Sequence, residues 1–319
     1  MKHLPTDLFE LLALGPKQKK IKLHAITTIH FIVNPISGNG KNTLDPALVL
    51  SVFSPDRFKV EITKTVKRSH AIELSLESIK KGVDVIVACG GDGTINEVAS
   101  CLIGTNVTLG VLKLGSGNGL ATTLNIPKKL EEALRVIKKG ITTKIDAGEI
   151  NNHYFFSNTG IGFDANVIYN YSKTKKRQLI SYLIATLSTF FSKPPTLSLE
   201  IAINSQRVSL KPFMVFVSNS NEMGYDISLT PKASIQDGML DVIMVDSLNK
   251  IEIIYFAILL LLKNPQKFKK AHYFLTKNIE ITNLLSGSVL TQIDGESKQI
   301  DSNTLKIRII KDALSVIIP

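Results

Sequence analysis

The sequence predicts two domains: an α/β domain built on a parallel sheet, followed by a β-rich, sandwich-like domain. Its 319 residues exceed what a single hydrophobic core usually organises. From about residue 27 to 145, apolar runs alternate with helical stretches, a pattern typical of a parallel sheet covered on both faces. Beyond residue 146, short strand-like runs separated by turns dominate, and this texture favours a β-rich domain.

We therefore expect an N-terminal extension over residues 1–26, the α/β domain over 27–145 and the β-rich domain over 146–319. In the first domain the predicted strands are 28–33, 58–63, 83–88 and 109–114, and the predicted helices include 69–81 and 94–103. In the second domain the predicted strands are 153–157, 196–203, 213–218, 240–245, 278–282, 289–293 and 305–310, and the predicted helices are 182–191 and 251–263. The last predicted strand is a candidate to return to the first domain and pair with its sheet.

Three of the first-domain strands end in turns rich in glycine and asparagine, at residues 34–41, 89–97 and 115–119. Glycine allows positive φ and lets a ligand approach the main chain. Backbone N–H groups at such turns and at helix N-termini attract anions. Because ligands of open α/β sheets bind at the carboxyl ends of strands, we expect one phosphate-binding crevice, with Asp92 holding a metal ion or ordering a water. The alternative is a set of tight turns without a ligand.

Acidic residues recur in turns of the second domain, in segments 158–165, 231–241 and 292–296. Asp-Gly is a common turn dipeptide, so each segment alone is most simply a turn. A phosphate crevice in one domain and carboxylates in the other suggest phosphoryl transfer between them. That reaction needs a phosphate cradle, a divalent cation and a carboxylate base near the attacking oxygen.

These motifs resemble those of the bacterial diacylglycerol kinase-like lipid kinases, which are related to sphingosine kinases and NAD kinases. The matching segments are NPISG at 34–38, GGDGTINEV at 90–98, GSGNGLA at 115–121, GIGFDA at 160–165, PKASIQDGMLDV at 231–242 and DGE at 294–296. The resemblance implies an NAD kinase- or phosphofructokinase-like fold for the first domain. It also implies that ATP and Mg²⁺ are used to phosphorylate the hydroxyl of diacylglycerol or a related lipid alcohol.

The resemblance further implies roles for individual residues. Those implied to contact the nucleotide are Asn34, Ser37, Gly38, Lys41, Thr65, Gly90, Gly91, Asp92, Gly93, Thr94, Ile95, Asn96 and Ser116. Asp92 would act through Mg²⁺ and water, and Glu296 would be the general base, with Asp294 as its partner or as the alternative base. A structural cation would be held by the Asp237 carboxylate and the backbone carbonyls of Ser234 and Met239, an oxygen-only ligand set suited to Mg²⁺ or Ca²⁺.

One departure leaves the acceptor open. Many bacterial relatives carry an acid at the position of Gly119, and the form found here is more similar to the sphingosine kinase branch, so a sphingoid-base-type acceptor stays possible beside diacylglycerol. Two other functions are considered. An NAD kinase would share the GGDGT turn but not NPISG or the 231–242 loop. A non-enzymatic, nucleotide-responsive membrane module would not need the intact GGDGT and DGE segments.

Composition indicates the class of partner. The net charge of +11 and a pI near 9.4 favour polyanions, but no nucleic-acid-binding signature is present and no nucleic acid partner is expected. The longest apolar run, residues 253–262, is too short to span a bilayer, and basic residues follow it up to 270. Such a segment can lie in an anionic membrane interface; the alternative is a core-packing helix.

We accordingly expect a cytoplasmic protein, peripherally associated with the membrane surface where it would meet its lipid substrate. Two cysteines, Cys89 and Cys101, provide no disulfide framework, and a reducing compartment is the default for such a chain. An exposed sheet edge in the β-rich domain would also allow a homodimer.

Overall fold

The structure is a computed structural model that describes residues 19–20, 26–40, 44–115, 118–174, 179–192, 197–223, 228–285 and 287–319. Most of the predicted N-terminal extension therefore lies outside the described residues. The strands are β1 Lys19–Lys20, β2 Thr27–Val33, β3 Phe58–Lys64, β4 Val85–Gly90, β5 Thr108–Lys113, β6 Ile141–Ile150, β7 His153–Phe155, β8 Asn158–Gly162, β9 Leu199–Ile203, β10 Gln206–Leu210, β11 Met214–Ser218, β12 Leu240–Val245, β13 Ala271–Thr276, β14 Asn278–Asn283, β15 Val289–Ile293, β16 Glu296–Ile300 and β17 Thr304–Ile317. The α-helices are α1 Pro46–Val52, α2 His70–Lys80, α3 Asp92–Leu102, α4 Gly119–Thr123, α5 Leu130–Lys139, α6 Phe163–Ser172, α7 Leu179–Phe191 and α8 Lys250–Leu261, and short 3₁₀ helices span Ser37–Gly40 and Pro265–Lys267.

The first domain is built on four parallel strands in the order β5-β4-β2-β3. β4 is buried along its whole length, which is expected of a central strand covered by helices on both faces. Apolar side chains of these strands pack with those of helices α1 to α5 in one core. The arrangement confirms the predicted α/β domain with a parallel sheet.

The second domain is a sandwich of antiparallel strands. Among the described residues, one of its sheets has six strands in the order β13-β12-β11-β8-β15-β16. Its inner face packs against β9, β14 and β17 through a core that includes Ile161, Val215, Ile281 and Leu305. The β-rich, sandwich-like domain predicted from the sequence is confirmed.

Strands β6 and β17 connect the two domains. β17 pairs antiparallel with β14 and β6 and then parallel with β5, where Val316 lies opposite Leu109. The pairing with β6 shifts register between Ile310 and Leu314, and this irregularity bends the strand. β17 is longer than the predicted strand 305–310, and β6 runs through the predicted boundary near residue 145. One continuous sheet therefore extends from the first domain into the second.

Helices α6 and α8 lie against the outer face of the six-stranded sheet. α6 packs on α7, and Nδ2 of Asn170 donates to Oγ1 of Thr189 at 2.8 Å. α8 buries Phe256 and Leu259 in an apolar cluster with β11 and β12. In the described part of the chain, the helices are too short or too polar to cross a bilayer.

Candidate active site

The three glycine-rich turns lie side by side at the carboxyl edge of the parallel strands, because β2, β4 and β5 are neighbours there. Asn34 joins the first two turns. Its Nδ2 donates to Oγ1 of Thr94 at 3.0 Å, and its backbone N–H donates to the carbonyl of Cys89 at 2.9 Å. Its Oδ1 accepts the N–H of Ile36 at 3.2 Å, which closes a local turn.

The second and third turns are in close backbone contact, and this contact requires glycine. A Cβ on Gly115 would lie 2.4 Å from the Cα of Gly91. A Cβ on Gly90 would lie 2.6 Å from the side chain of Thr94. The N–H groups of Leu114 and Gly115 both donate to the carbonyl of Gly90 at 3.1 Å. The absence of a side chain, rather than an unusual φ, is what these positions need.

Asp92 begins α3, and its carboxylate binds the backbone of the third turn. Oδ2 accepts the N–H of Asn118 at 2.8 Å, and Oδ1 accepts the N–H of Gly119 at 2.7 Å. Burial raises the pKa of Asp92 to about 6; the backbone donors oppose this shift, and the charge of Asp294 adds to it. The carboxylate is therefore mostly ionised at neutral pH, and its remaining lone pairs suit a hydrated Mg²⁺.

Asp294 ties the second domain to the first. Oδ1 accepts the N–H groups of Ser157 at 2.8 Å and Asn158 at 3.0 Å. Oδ2 accepts the N–H of Phe156 at 2.9 Å and Nδ2 of Asn96, from α3, at 2.8 Å. Burial raises the pKa of Asp294, and these four donors oppose the shift. Both oxygens are thus held by fixed donors.

Glu296, from the second domain, lies close to the second glycine-rich turn. Asp294 and Gly295, with φ of 45° and 77°, form the two-residue turn between β15 and β16, which suits an Asp-Gly pair. Glu296 follows as the first residue of β16, with its side chain 30% exposed. A Cβ on Gly93 would lie 3.2 Å from Oε1 of Glu296. Its Oε2 lies 3.7 Å from Nη2 of Arg68.

The other predicted nucleotide residues surround the first two turns. Thr65 follows β3 and donates its N–H to the carbonyl of Val33 at 2.8 Å. Gly38 has a φ of 62° in the 3₁₀ helix Ser37–Gly40. Ile95 is buried in the core of the first domain, so only its backbone can serve a nucleotide. Two predicted residues, Lys41 and Ser116, lie outside the described residues.

The loop predicted to hold a structural cation docks on β6. The N–H of Gly238 donates to Oδ2 of Asp146 at 2.7 Å, and the N–H of Asp146 donates to the carbonyl of Ile235 at 2.7 Å. Within the loop, Oδ1 of Asp237 accepts the N–H of Met239 at 3.0 Å. Docking on β6 fixes the shape of the loop around Asp237.

Negative charge accumulates at this loop. Burial, and after it the charge of Asp237, raises the pKa of Asp241 to about 6. Burial also raises the pKa of Asp146, and Asp237 contributes to that shift. No group of three or more His, Cys, Asp or Glu side chains suited to a metal occurs among the described residues. The predicted ligands are instead one carboxylate and the carbonyls of Ser234 and Met239, whose hard oxygens fit Mg²⁺ or Ca²⁺.

One residue of the site, Arg68, was not singled out by the motifs. Arg68 is 84% exposed on the loop after β3 and approaches Glu296; the basic pair Lys67-Arg68 before a helix is its only signal in the sequence. Gly119 packs closely on the second domain, because a Cβ there would lie 3.0 Å from Oγ of Ser157. A larger residue at position 119 would require Ser157 to move.

Comparisons with known proteins agree with this architecture. Residues 28–150 match the diacylglycerol kinase catalytic domain, and residues 157–318 match the YegS C-terminal NAD kinase beta sandwich-like domain. A solved structure of a diacylglycerol kinase from Bacillus anthracis superimposes with a TM-score of 0.73 at 24% identity, over 93% of this chain and 98% of that one. This structural likeness supports the fold.

Curated relatives agree with the domain matches. A diacylglycerol kinase of Bacillus subtilis is 28% identical over 270 residues, which cover 83% of this chain and 88% of that protein. A probable YegS-like lipid kinase of Klebsiella pneumoniae is 30% identical over 63% of this chain and 70% of that protein. The resemblance seen in the motifs is confirmed. The chain belongs to the family of lipid kinases that combine a diacylglycerol kinase catalytic domain with a YegS-type C-terminal sandwich.

Proposed function

We propose that this lipid kinase transfers the γ-phosphate of ATP to a hydroxyl group of a membrane lipid in the cleft between its two domains. One observation carries the proposal. The Glu296 carboxylate lies over the GGDGT turn, with Oε1 3.2 Å from the position of a Cβ on Gly93. A carboxylate from the second domain thus stands beside a phosphate-binding turn of the first, where an acceptor hydroxyl and a terminal phosphate would meet.

Glu296 is the proposed general base. It would take the proton of the lipid hydroxyl as that oxygen forms a bond to the γ-phosphorus. The bond between the γ-phosphorus and the bridging oxygen breaks in the same displacement, and ADP leaves with the electron pair. Asp294 is proposed to position the hairpin that carries Glu296, since its own oxygens accept four hydrogen bonds.

The backbone of the three turns would hold the phosphates. Their N–H groups and the N-terminus of α3 present partial positive charge at one edge of the sheet. Asp92 would hold Mg²⁺ through water, and that cation would neutralise charge on the transferred phosphoryl group. Asn34 and Thr94 would keep the first two turns in register, because their side chains are hydrogen-bonded to each other.

Diacylglycerol or a related lipid alcohol is the proposed acceptor, by likeness to relatives that carry the name diacylglycerol kinase. A sphingoid-base-type acceptor is the second candidate, and it is favoured by the glycine at position 119, which packs against Ser157 in this chain. We place the reaction at the cytoplasmic membrane surface, where ATP and the lipid are both available. The product would enter phospholipid metabolism.

The test is transfer of labelled γ-phosphate from ATP, with Mg²⁺, to micellar diacylglycerol, monoacylglycerol, sphingosine, ceramide and undecaprenol, with NAD in parallel. We expect a labelled lipid. We expect Glu296→Gln to lower the rate by about a hundredfold or more, as loss of a general base does, with the melting temperature unchanged. Glu280→Gln, which changes a carboxylate outside the cleft, is the control. Label on NAD alone, or full activity of Glu296→Gln, would overturn the proposal.

A further inference from the structure

Helix α8 presents an apolar face to solvent. Its exposed apolar residues recur at spacings of three and four along the helix, and they are 48% to 79% exposed: Ile251, Ile254, Tyr255, Ile258 and Leu261. The opposite face buries Phe256 and Leu259. A helix on the surface of a globular protein ordinarily places polar residues on its outer face, and α8 does not, because both of its faces are apolar.

Helix α7 also exposes an apolar face to solvent. Its exposed apolar residues are 52% to 70% exposed: Ile180, Leu183, Ile184, Leu187 and Phe191. Among the α7 side chains that the structure describes, Ala185 and Thr189 are buried. α7 contains no charged residue. Five large apolar side chains of α7 therefore face solvent, while Tyr182 packs edge-on against Tyr171 of α6.

The end of α7 lies near the start of α8. Lys250, the first residue of α8, lies with its Nζ 5.9 Å from the ring centroid of Phe191, the last residue of α7. Ile251 follows directly and is 79% exposed. We refer to the ten exposed apolar residues of α7 and α8 as the docking surface. A cluster of exposed apolar residues of this size marks a candidate interaction site.

Positive charge borders the docking surface. Lys250 lies at one end of α8, and Lys263, Lys267 and Lys269 follow its other end. Nζ of Lys270 forms a 2.7 Å ion pair with Glu252. That carboxylate caps the start of α8 and is the only acidic residue of the two helices. The border is thus basic, and the surface itself is aliphatic and aromatic.

We propose that the docking surface binds an anionic phospholipid bilayer, with α7 and α8 lying in the interface. Apolar side chains would enter the acyl boundary, and the bordering lysines would meet anionic headgroups. Helices of 13 and 12 residues are suited to lying in the interface and are too short to span the roughly 30 Å hydrocarbon core. A fluid bilayer can bind an apolar surface without a complementary shape. The basic border of the docking surface favours a bilayer that contains anionic lipids.

This inference rests on the proposed function. A lipid kinase needs a membrane-docking surface because its lipid acceptor must leave the bilayer to reach the cleft. Helix α6 provides the connection. It packs on β15 and β16, the two strands of the hairpin that carries Glu296. α6 then packs on α7. Docking through α7 and α8 would therefore place the acceptor side of the cleft towards the membrane.

The test is co-flotation of the full chain with vesicles of phosphatidylcholine, with and without phosphatidylglycerol. The α7 variant carries Ile184→Gln, Leu187→Gln and Phe191→Gln. The α8 variant carries Ile254→Gln, Ile258→Gln and Leu261→Gln. A matched control removes three exposed apolar side chains elsewhere, with Leu50→Gln, Leu76→Gln and Val208→Gln.

We expect the wild type to float with the anionic vesicles, less so at high salt. Each surface variant should lower the partition coefficient by about tenfold or more, and the control should bind as the wild type does. Wild-type binding by both surface variants would overturn the proposal. Failure of the wild type to float with anionic vesicles would also overturn it. In that case sedimentation would test whether a second copy of the chain covers the surface instead, because the α8 variant would then dissociate a dimer.

A second measurement separates this inference from the proposed function. Phosphorylation of a short-chain, soluble diacylglycerol should be equal in the wild type and both surface variants, whereas phosphorylation of long-chain diacylglycerol in vesicles should fall with binding. If vesicle binding depends on the docking surface but no lipid is phosphorylated in any form, the docking inference is supported and the kinase proposal is rejected. A variant that loses vesicle binding yet phosphorylates vesicle lipid normally would overturn the docking inference alone.

Discussion

Nδ2 of Asn96 donates a 2.8 Å hydrogen bond to Oδ2 of Asp294 and so joins helix α3 of the first domain to the β15–β16 hairpin of the second. The same carboxylate accepts three backbone N–H groups from residues 156–158. A carboxylate is a pure acceptor and can satisfy four donors at once. The position of Glu296 over Gly93 depends on this junction, because Glu296 lies two residues beyond Asp294 in a tight hairpin.

Asp294→Asn should destabilise the protein. The amide keeps one acceptor oxygen but turns an NH₂ group towards backbone donors, so at least one buried N–H loses its partner. We expect a loss of about 2 to 3 kcal/mol in the free energy of unfolding, measured by urea denaturation, and a lower kinase rate because Glu296 shifts. Asp301→Asn, at an exposed position, should change neither. Unchanged stability of Asp294→Asn would show that the junction is not needed to hold the hairpin.

Gly115→Ala should separate the second and third turns. Its Cβ would lie 2.4 Å from the Cα of Gly91, and the backbone must move because no flexible side chain can yield. Overpacking of this kind costs about 1 to 3 kcal/mol, which a thermal melt would detect, and ATP affinity should fall with the distorted turn. Gly287→Ala is the matched control, since a Cβ there meets nothing within 4 Å. Equal nucleotide affinity in the two variants would argue against the turn as a phosphate site.

The gathering of the three turns was predictable from the sequence. Each follows an apolar strand in an alternating α/β pattern, and the carboxyl ends of parallel neighbours meet at one edge. Which of Asp294 and Glu296 faces the GGDGT turn was not predictable. Residues 294 and 296 are separated by one glycine, and the left-handed φ values of Asp294 and Gly295 decide which carboxylate faces Gly93. The approach of Arg68 likewise depends on a loop far from Glu296 in the sequence.

The exposed faces of α7 and α8 were also beyond sequence reasoning. Residues 253–262 are apolar all round the helix, so no periodicity distinguishes a buried face from an exposed one. Only the packing of Phe256 and Leu259 against the six-stranded sheet fixes the orientation. The length of β17 was missed for a related reason: its irregularity between Ile310 and Leu314 interrupts the alternation on which strand prediction depends.

Asp237→Asn should have opposite effects with and without divalent cations. With a chelator present, the variant should be as stable as the wild type or more stable, because Asp237 adds to the burial that raises the pKa of Asp241. With millimolar Mg²⁺ or Ca²⁺, the wild type should gain melting temperature and the variant should gain less, because a ligand that binds only the folded state stabilises it. The hydrogen bond from Met239 to Oδ1 survives in the amide, which makes the change conservative.

The control for this experiment is Asp56→Asn, an exposed carboxylate outside the loop. It should show the same cation-dependent rise in melting temperature as the wild type. A rise of equal size in Asp237→Asn would exclude the predicted structural cation site, whatever the effect of cations on catalysis.

Asp164 should make the protein less stable as pH rises. Asp164 lies at the start of α6 and is only 8% exposed. Its carboxylate is close to the backbone of β8, since a Cβ on Gly160 would lie 2.6 Å from Oδ2 of Asp164. Burial raises the pKa of Asp164 from 3.8 to about 7, although the Gln292 side chain and nearby backbone N–H groups oppose the shift. Between these two pH values the unfolded chain releases the proton while the folded protein retains it, so unfolding becomes more favourable with increasing pH.

Asp164→Asn tests this because the amide has no proton to lose. Below pH 4 both folded and unfolded wild type are protonated and the penalty is absent; above pH 7 it is complete, at about 4 kcal/mol for a shift of this size. Between pH 4 and pH 8, the free energy of unfolding should fall in both proteins. We expect the fall to be larger in the wild type than in Asp164→Asn, by about 4 kcal/mol. Contributions from Asp92 and Asp241, which also have raised pKa values, cancel in the comparison, and Asp301→Asn should follow the wild type. Parallel pH profiles for the wild type and Asp164→Asn would mean that Asp164 is ionised in the folded protein and that local donors outweigh its burial.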